Sequence, residues 1–90
     1  MGRLQYALLE HLAAVAVMQK AVARSQHTRF RGGWTYVRTT DKVRITTIRS
    51  LIKRGYVAAC CTATNGSDLI RITKEGVAEL EKKLGRVILA

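Results

Sequence analysis

Between Arg24 and Arg54 the chain places nine arginines and lysines against a single acid, Asp41, so a net charge of +8 sits in one third of a 90-residue sequence whose total is +10. Residues 1–23 and 55–90 carry only +1 each. Guanidinium and ammonium groups gathered in this way displace counterions from polyanions and hold phosphate oxygens. A solvated basic surface is the plainer alternative, but the concentration of charge in one segment points to a binding face for nucleic acid. Catalysis would need converging groups. His11 falls in a long apolar pattern, His27 in a basic stretch, and no Ser/His/Asp set, paired carboxylates or phosphate-cradling glycine motif occurs, so no enzyme activity is expected. Cys60 and Cys61 are adjacent and the two histidines are scattered, which lacks the spaced ligand pairs of a zinc site, and no metal or cofactor is expected. Adjacent cysteines cannot be bridged without severe strain; the pair is read as small strand residues, one facing in and one out, with redox sensing by the outer one as the sharper alternative.

The elements that would position the basic residues follow from periodicity. Leu4, Leu8, Leu12, Val15, Met18 and Val22 recur at spacings of three and four, which predicts a helix over about 4–23. Leu9, Ala13, Ala16 and Val17 widen its apolar face beyond what a thin domain covers, so part of it is a candidate dimer contact. Gly32 and Gly33 between Phe30 and Trp34 mark a tight turn, and Trp34 to Val37 reads as a short strand. Ile45, Ile48, Leu51 and Ile52 resume helical spacing, with Thr46 or Thr47 available as a cap and Gly55 as the terminator. Tyr56–Thr64 and Leu69–Ile72 flank the turn residues Asn65, Gly66, Ser67 and Asp68, a hairpin pattern. Thr73 stands as the cap of a last helix through Val77, Leu80 and Leu84 to Gly85, followed by an apolar tail, Val87 to Leu89.

Thr46 to Val57 (TTIRSLIKRGYV) and Leu69 to Leu80 (LIRITKEGVAEL) resemble the recognition helix running into the wing, and the closing wing strand with its following helix, of the MarR-like and PadR-like branches of the winged helix-turn-helix superfamily. The resemblance covers about residues 4–84. It implies a mainly α fold with a small β-hairpin (α+β), a single winged-helix domain over 1–90, and sequence-specific binding of double-stranded DNA by a small transcriptional regulator. The segment Val37 to Arg44 has room for at most one helical turn, so the second helix of the motif is expected to be reduced.

With Ile45, Ile48, Leu51 and Ile52 on the core, Thr46, Thr47, Arg49, Ser50 and Lys53 would point outward. Arg49 has the fork that pairs with guanine in a major groove, while Thr47 and Ser50 could donate to bases or phosphates. Lys53 and Arg54 would hold phosphates, as would Arg29, Arg31, Arg38, Lys42 and Arg44 around the helix entrance. Asn65 at the wing tip and Arg71 on the returning strand are secondary candidates, since the tip carries no basic residue and Asp68 adjoins it. Trp34 and Tyr36 among arginines could stack on unpaired bases of single-stranded ligands. Burial of the lone tryptophan in the core is the stronger expectation.

The longest uninterrupted apolar run, Leu12 to Met18, is far short of a bilayer span, and the amino terminus lacks a basic n-region with a cleavage site. A cytoplasmic protein without membrane contact is expected. A homodimer through helix 1 or the carboxyl-terminal helix and tail is the expected assembly. The runner-up function is a protein-interaction module, such as a phage or accessory protein docking on a larger nucleic-acid machine.

Overall fold

A computed structural model describes residues 1–40 and 43–85; Lys42 and the apolar tail Val87 to Leu89 lie outside the described residues. The chain forms α1 (Arg3–Gln26), β1 (Thr35–Val37), α2 (Ile45–Lys53), β2 (Val57–Thr62), β3 (Asp68–Ile72) and α3 (Lys74–Leu84). The three strands make one antiparallel sheet in the order β1-β3-β2, an α+β arrangement. β3 is therefore central, pairing Tyr36 with Leu69 on one side and Val57 with Ile72 on the other.

α1 sets the long dimension. Its 24 residues span about 36 Å at the helical rise of 1.5 Å per residue, and the molecule measures 36 × 36 × 20 Å. The core gathers where α1, α2 and α3 meet the sheet: Leu9, Leu12, Leu51, Ile70 and Leu80 are fully buried there. Each contributes about 1.5–3 kcal/mol relative to leaving it in water. Gly76 lets α3 pack tightly, since a Cβ at that position would run into the Tyr56 carbonyl and the Ile72 side chain. Thr73 caps this helix as expected, its hydroxyl accepting from the Gly76 amide at 3.0 Å.

The buried stripe of α1 is rotated from the expected one. Leu8, Leu9, Leu12, Ala13, Ala16 and Ala23 face the core, whereas Leu4, Val17, Met18 and Val22 are exposed. The physical reason is close approach. The alanine at 16 lets Gly33 come close to the helix backbone, and a Met or Val there would hold it off. At successive positions Gly32 and Gly33 take φ +80 and +84, the left-handed conformation that such a turn requires.

α2 also differs in its rim. Ile48 and Leu51 are buried together with Thr47, while Ile45 and Ile52 are 44% and 38% exposed. At about 100° per residue, positions 47, 48 and 51 share one side and positions 45 and 52 fall on its edge. The helix starts at Ile45 with Arg44 at the N-cap and no side-chain cap bond, so neither threonine caps it. Gly55, φ +79, ends it as expected, its amide bonded to the Ile52 carbonyl at 3.0 Å.

Between Val37 and Arg44 no helix occurs among the described residues. The Thr40 amide donates to the Val43 carbonyl at 2.7 Å, and the Val43 amide to the Thr40 hydroxyl at 3.1 Å. Both cysteines are exposed, against the expectation of one in and one out, because a register shift between Ala59 and Cys61 interrupts the alternation of β2.

Candidate nucleic-acid interface

The exposed side of α2 is built from Thr46, Arg49 and Lys53, with Arg44 exposed at its start and Arg54 just past its end. Ile48 and Leu51 on the reverse side fix the helix against the core, so these polar groups are presented by an element with little rotational freedom. α2 contains no acidic residue, and no carboxylate on the helix itself competes for its cations. The geometry suits a long anionic ligand: a guanidinium fork at Arg49, one turn from the Lys53 ammonium, with Arg44 and Arg54 bracketing them.

Two of the expected contact residues are placed differently. Thr47 is 8% exposed and turns inward beside Ile48 and Leu51, which removes it from a surface role. Ser50 is half-buried, and its hydroxyl accepts a hydrogen bond from Gln5 Nε2 at 2.6 Å. Gln5 Oε1 accepts in turn from the Gly2 amide at 2.6 Å, so one glutamine ties the start of α1 to the middle of α2. Sequence reading passed over Gln5. Its signal was a polar residue on the same side of α1 as Leu9 and Leu12, where a long apolar side chain would otherwise be expected.

Gln19 follows the same logic one helical stretch later. Its Oε1 accepts from the Gly33 amide at 3.0 Å and its Nε2 donates to the Trp34 carbonyl at 2.7 Å, which fixes the approach to β1. Arg29 and Arg31 lie exposed on the preceding segment and line a shallow concavity with Met18, Gln19 and Val22 of α1. Arg38 is exposed at the end of β1.

The hairpin tip is a closed polar turn. Asn65 Oδ1 accepts from the Ser67 amide at 3.0 Å, Gly66 takes φ +86, and the Thr62 hydroxyl donates to Asp68 Oδ1 at 2.7 Å. Asp68 is thus engaged within the hairpin. Arg71 is half-buried with its guanidinium 5.3 Å from the Trp34 ring centroid, at the sheet rather than the tip. Trp34 is itself half-buried, where full core burial was the stronger expectation, because the indole lies against Gly32 and under Arg71.

Among the described residues no three His, Cys, Asp or Glu side chains come together as a metal site, and no helix is long and apolar enough to cross a membrane. A hydrogen bond with Cys60, followed by desolvation, pushes the Cys61 thiol above its ordinary range. Less of the Cys61 thiolate is then present near neutral pH, which opposes a nucleophilic or redox role for that thiol. No protein-family model matches the sequence, and no curated protein or solved structure matches it.

Proposed function

We propose that this chain is a small winged-helix protein that binds double-stranded DNA through α2 and acts as a sequence-specific transcriptional regulator. The observation that carries the reading is the exposed face of α2, where Arg44, Thr46, Arg49, Lys53 and Arg54 stand together without an acid on the helix. The layout supports it: α2 runs directly into the β2–β3 hairpin, and the returning strand β3 pairs with β1, as a wing needs. In this reading α2 enters the major groove, Arg49 reads a guanine edge, and Lys53, Arg54 and Arg44 hold phosphates. Thr46 takes the donor role that the sequence alone assigned to Thr47 and Ser50. The hydrogen bonds between Thr40 and Val43 lie where the motif has its second helix, of which the described residues form none.

The same reading includes a homodimer. Val17, Met18 and Val22 expose apolar side chains at 41%, 60% and 47%, and Val17 and Met18 line a groove with Ala14, Ala21 and Leu84. Two copies of a chain of net charge +10 repel least across a face without cations, and the lining of this groove has none and carries one carboxylate, Glu10. A second copy is therefore the occupant the groove suits, and a twofold dimer would read half-sites about one helical turn apart. An accessory module that docks on a larger nucleic-acid machine would use the same groove for a different protein.

The test is fluorescence anisotropy of the purified chain with random duplex DNA across a salt titration. Duplex affinity that falls steeply with salt, followed by enrichment of a preferred sequence in selection, is the expected result. No duplex binding at low salt would leave the accessory-module reading in its place.

A further inference from the structure

The pairing register of β2 brings two sulfurs together. Ala59 stands opposite Ile70 and Thr62 opposite Asp68, while between them Cys61 pairs with Leu69 and Cys60 is the extra residue of the bulge. Ile70 is buried in the core, so Ala59 lies on the core side of the sheet. Thr62 returns to that side, its hydroxyl donating to Asp68 Oδ1 at 2.7 Å. Side chains alternate along a strand, so Cys60, one step after Ala59, and Cys61, one step before Thr62, both fall on the side away from the core, with Leu69. Both cysteines are exposed, and their thiols are in hydrogen-bond contact. Adjacent strand residues ordinarily point apart. Here the bulge turns them into a dithiol pair.

Sulfurs held in this way do not close readily on each other. Cα atoms of adjacent residues stand about 3.8 Å apart, inside the roughly 4.4–6.8 Å that a disulfide spans. An atom placed between the sulfurs enlarges the ring and relieves that strain. It must be thiophilic and satisfied by few protein ligands, because among the described residues no three His, Cys, Asp or Glu side chains gather, short of the four that a structural zinc ion takes. It is also best uncharged, since the net charge of +10 opposes a free cation. Arsenous acid, neutral in water near neutral pH, meets each condition. Two As–S bonds form and two As–O bonds break, the thiol protons leave with the two hydroxyls as water, and arsenic stays trivalent throughout. We propose that Cys60 and Cys61 form a chelating site for trivalent arsenic, as arsenous acid or its organic derivatives, with the third substituent of arsenic left in solvent.

The experiment titrates the full chain, reduced with a phosphine, with arsenite and with phenylarsine oxide, following native mass and the count of free thiols. One arsenic per chain should bind, both thiols should be lost together, and the mass gain should be lowered by the water released. The adduct should survive excess glutathione, a monothiol. Cys60→Ser and Cys61→Ser should each weaken binding by at least about a hundredfold, the scale of losing the second of two tethered contacts; both residues are exposed, so the fold stays intact. A sharper variant moves one thiol across the strand. Ala59→Cys combined with Cys60→Ser keeps two cysteines at a spacing that shares one side in a regular strand, but the bulge sets them on opposite sides, so it should bind as weakly as the single variants. Tight binding by that variant, unchanged affinity in either single variant, loss of the adduct to glutathione, or cadmium ion held more tightly than arsenic would each overturn the site.

Discussion

The outward side of α2 and the outward side of α1 use opposite materials for surfaces of the same small domain. α2 exposes Thr46, Arg49 and Lys53 with Ile45 and Ile52 at the edge of that face, whereas α1 from Ala14 to Val22 exposes Ala14, Val17, Met18, Ala21 and Val22, with the exposed Lys20 the sole charged residue in that stretch. Neither side is demanded by the core, which is satisfied on the reverse face of each helix by Ile48 and Leu51, and by Leu8, Leu9, Leu12 and Ala13. On the proposed reading, charge collected on one helix and withheld from another would separate two jobs that otherwise conflict, because cations that attract a polyanion also push apart two copies of the chain. The contrast teaches that the chemistry of each outer face is set by which residues the folded chain leaves over after the core is filled.

The largest expected effect breaks the apolar side. Val17→Glu combined with Met18→Glu would place unpaired carboxylates in the groove beside Leu84, and should raise the dimer dissociation constant by at least about a hundredfold. The monomer should keep its stability within roughly 0.5 kcal/mol, as exposed substitutions do. Sedimentation equilibrium with parallel thermal unfolding measures both. A wild-type chain that is monomeric at micromolar concentration, or a variant that still dimerises, would show that this face has another occupant.

Next in size is the charged side. Arg49→Ala should cost about 1–3 kcal/mol on a preferred duplex and relax the preference at one base position. Lys53→Ala should weaken every duplex alike and lower the slope of log affinity against log salt by about one. Equal, sequence-independent losses for the two variants would reduce α2 to a phosphate-holding surface. If either variant altered the oligomeric state, the separation between the two helices would fail.

How far the sequence reveals this division depends on the kind of signal. The hairpin turn, the Thr73 cap and the Gly55 terminator follow from local chemistry, and the fold keeps each of them, whereas α1 runs on to Gln26 and α2 starts at Ile45 with neither threonine as its cap. Which face turns inward is decided by non-local fit. On α1 the large apolar residues Met18 and Val22 fit a helical stripe as well as Ala16 and Ala23 do, yet only the small ones leave room for neighbours such as Gly33. The partners of Gln5 and Gln19 were hidden for a related reason: each bonds to groups far along the chain, Ser50 in one case and the Gly33–Trp34 backbone in the other. The alternation expected for Cys60 and Cys61 failed at the register shift in β2, which no local pattern announces.

The smallest expected effect tests the contrast most sharply. Periodicity alone makes Thr46 and Thr47 interchangeable as surface donors, but the fold exposes Thr46 and holds Thr47 at 8% exposure against Ile48 and Leu51. Thr47→Val keeps the shape of the side chain, and should leave duplex affinity within about twofold, the range of a substitution that touches no ligand. Its effect belongs on stability, within about 1.5 kcal/mol in either direction, the net scale of one hydrogen bond, since a hydroxyl is exchanged for a methyl group on a packed surface. Thr46→Val, with a similar change in volume, should instead lower duplex affinity by about 0.5–1.5 kcal/mol, the net worth of one hydrogen bond, and leave stability alone. Paired measurements of anisotropy and denaturant unfolding distinguish the two. Were Thr47→Val to weaken the duplex while Thr46→Val did not, the recognition face would have to be rotated by about 100° around the helix axis, bringing Thr47 to the ligand and taking Arg49 and Lys53 toward its edge.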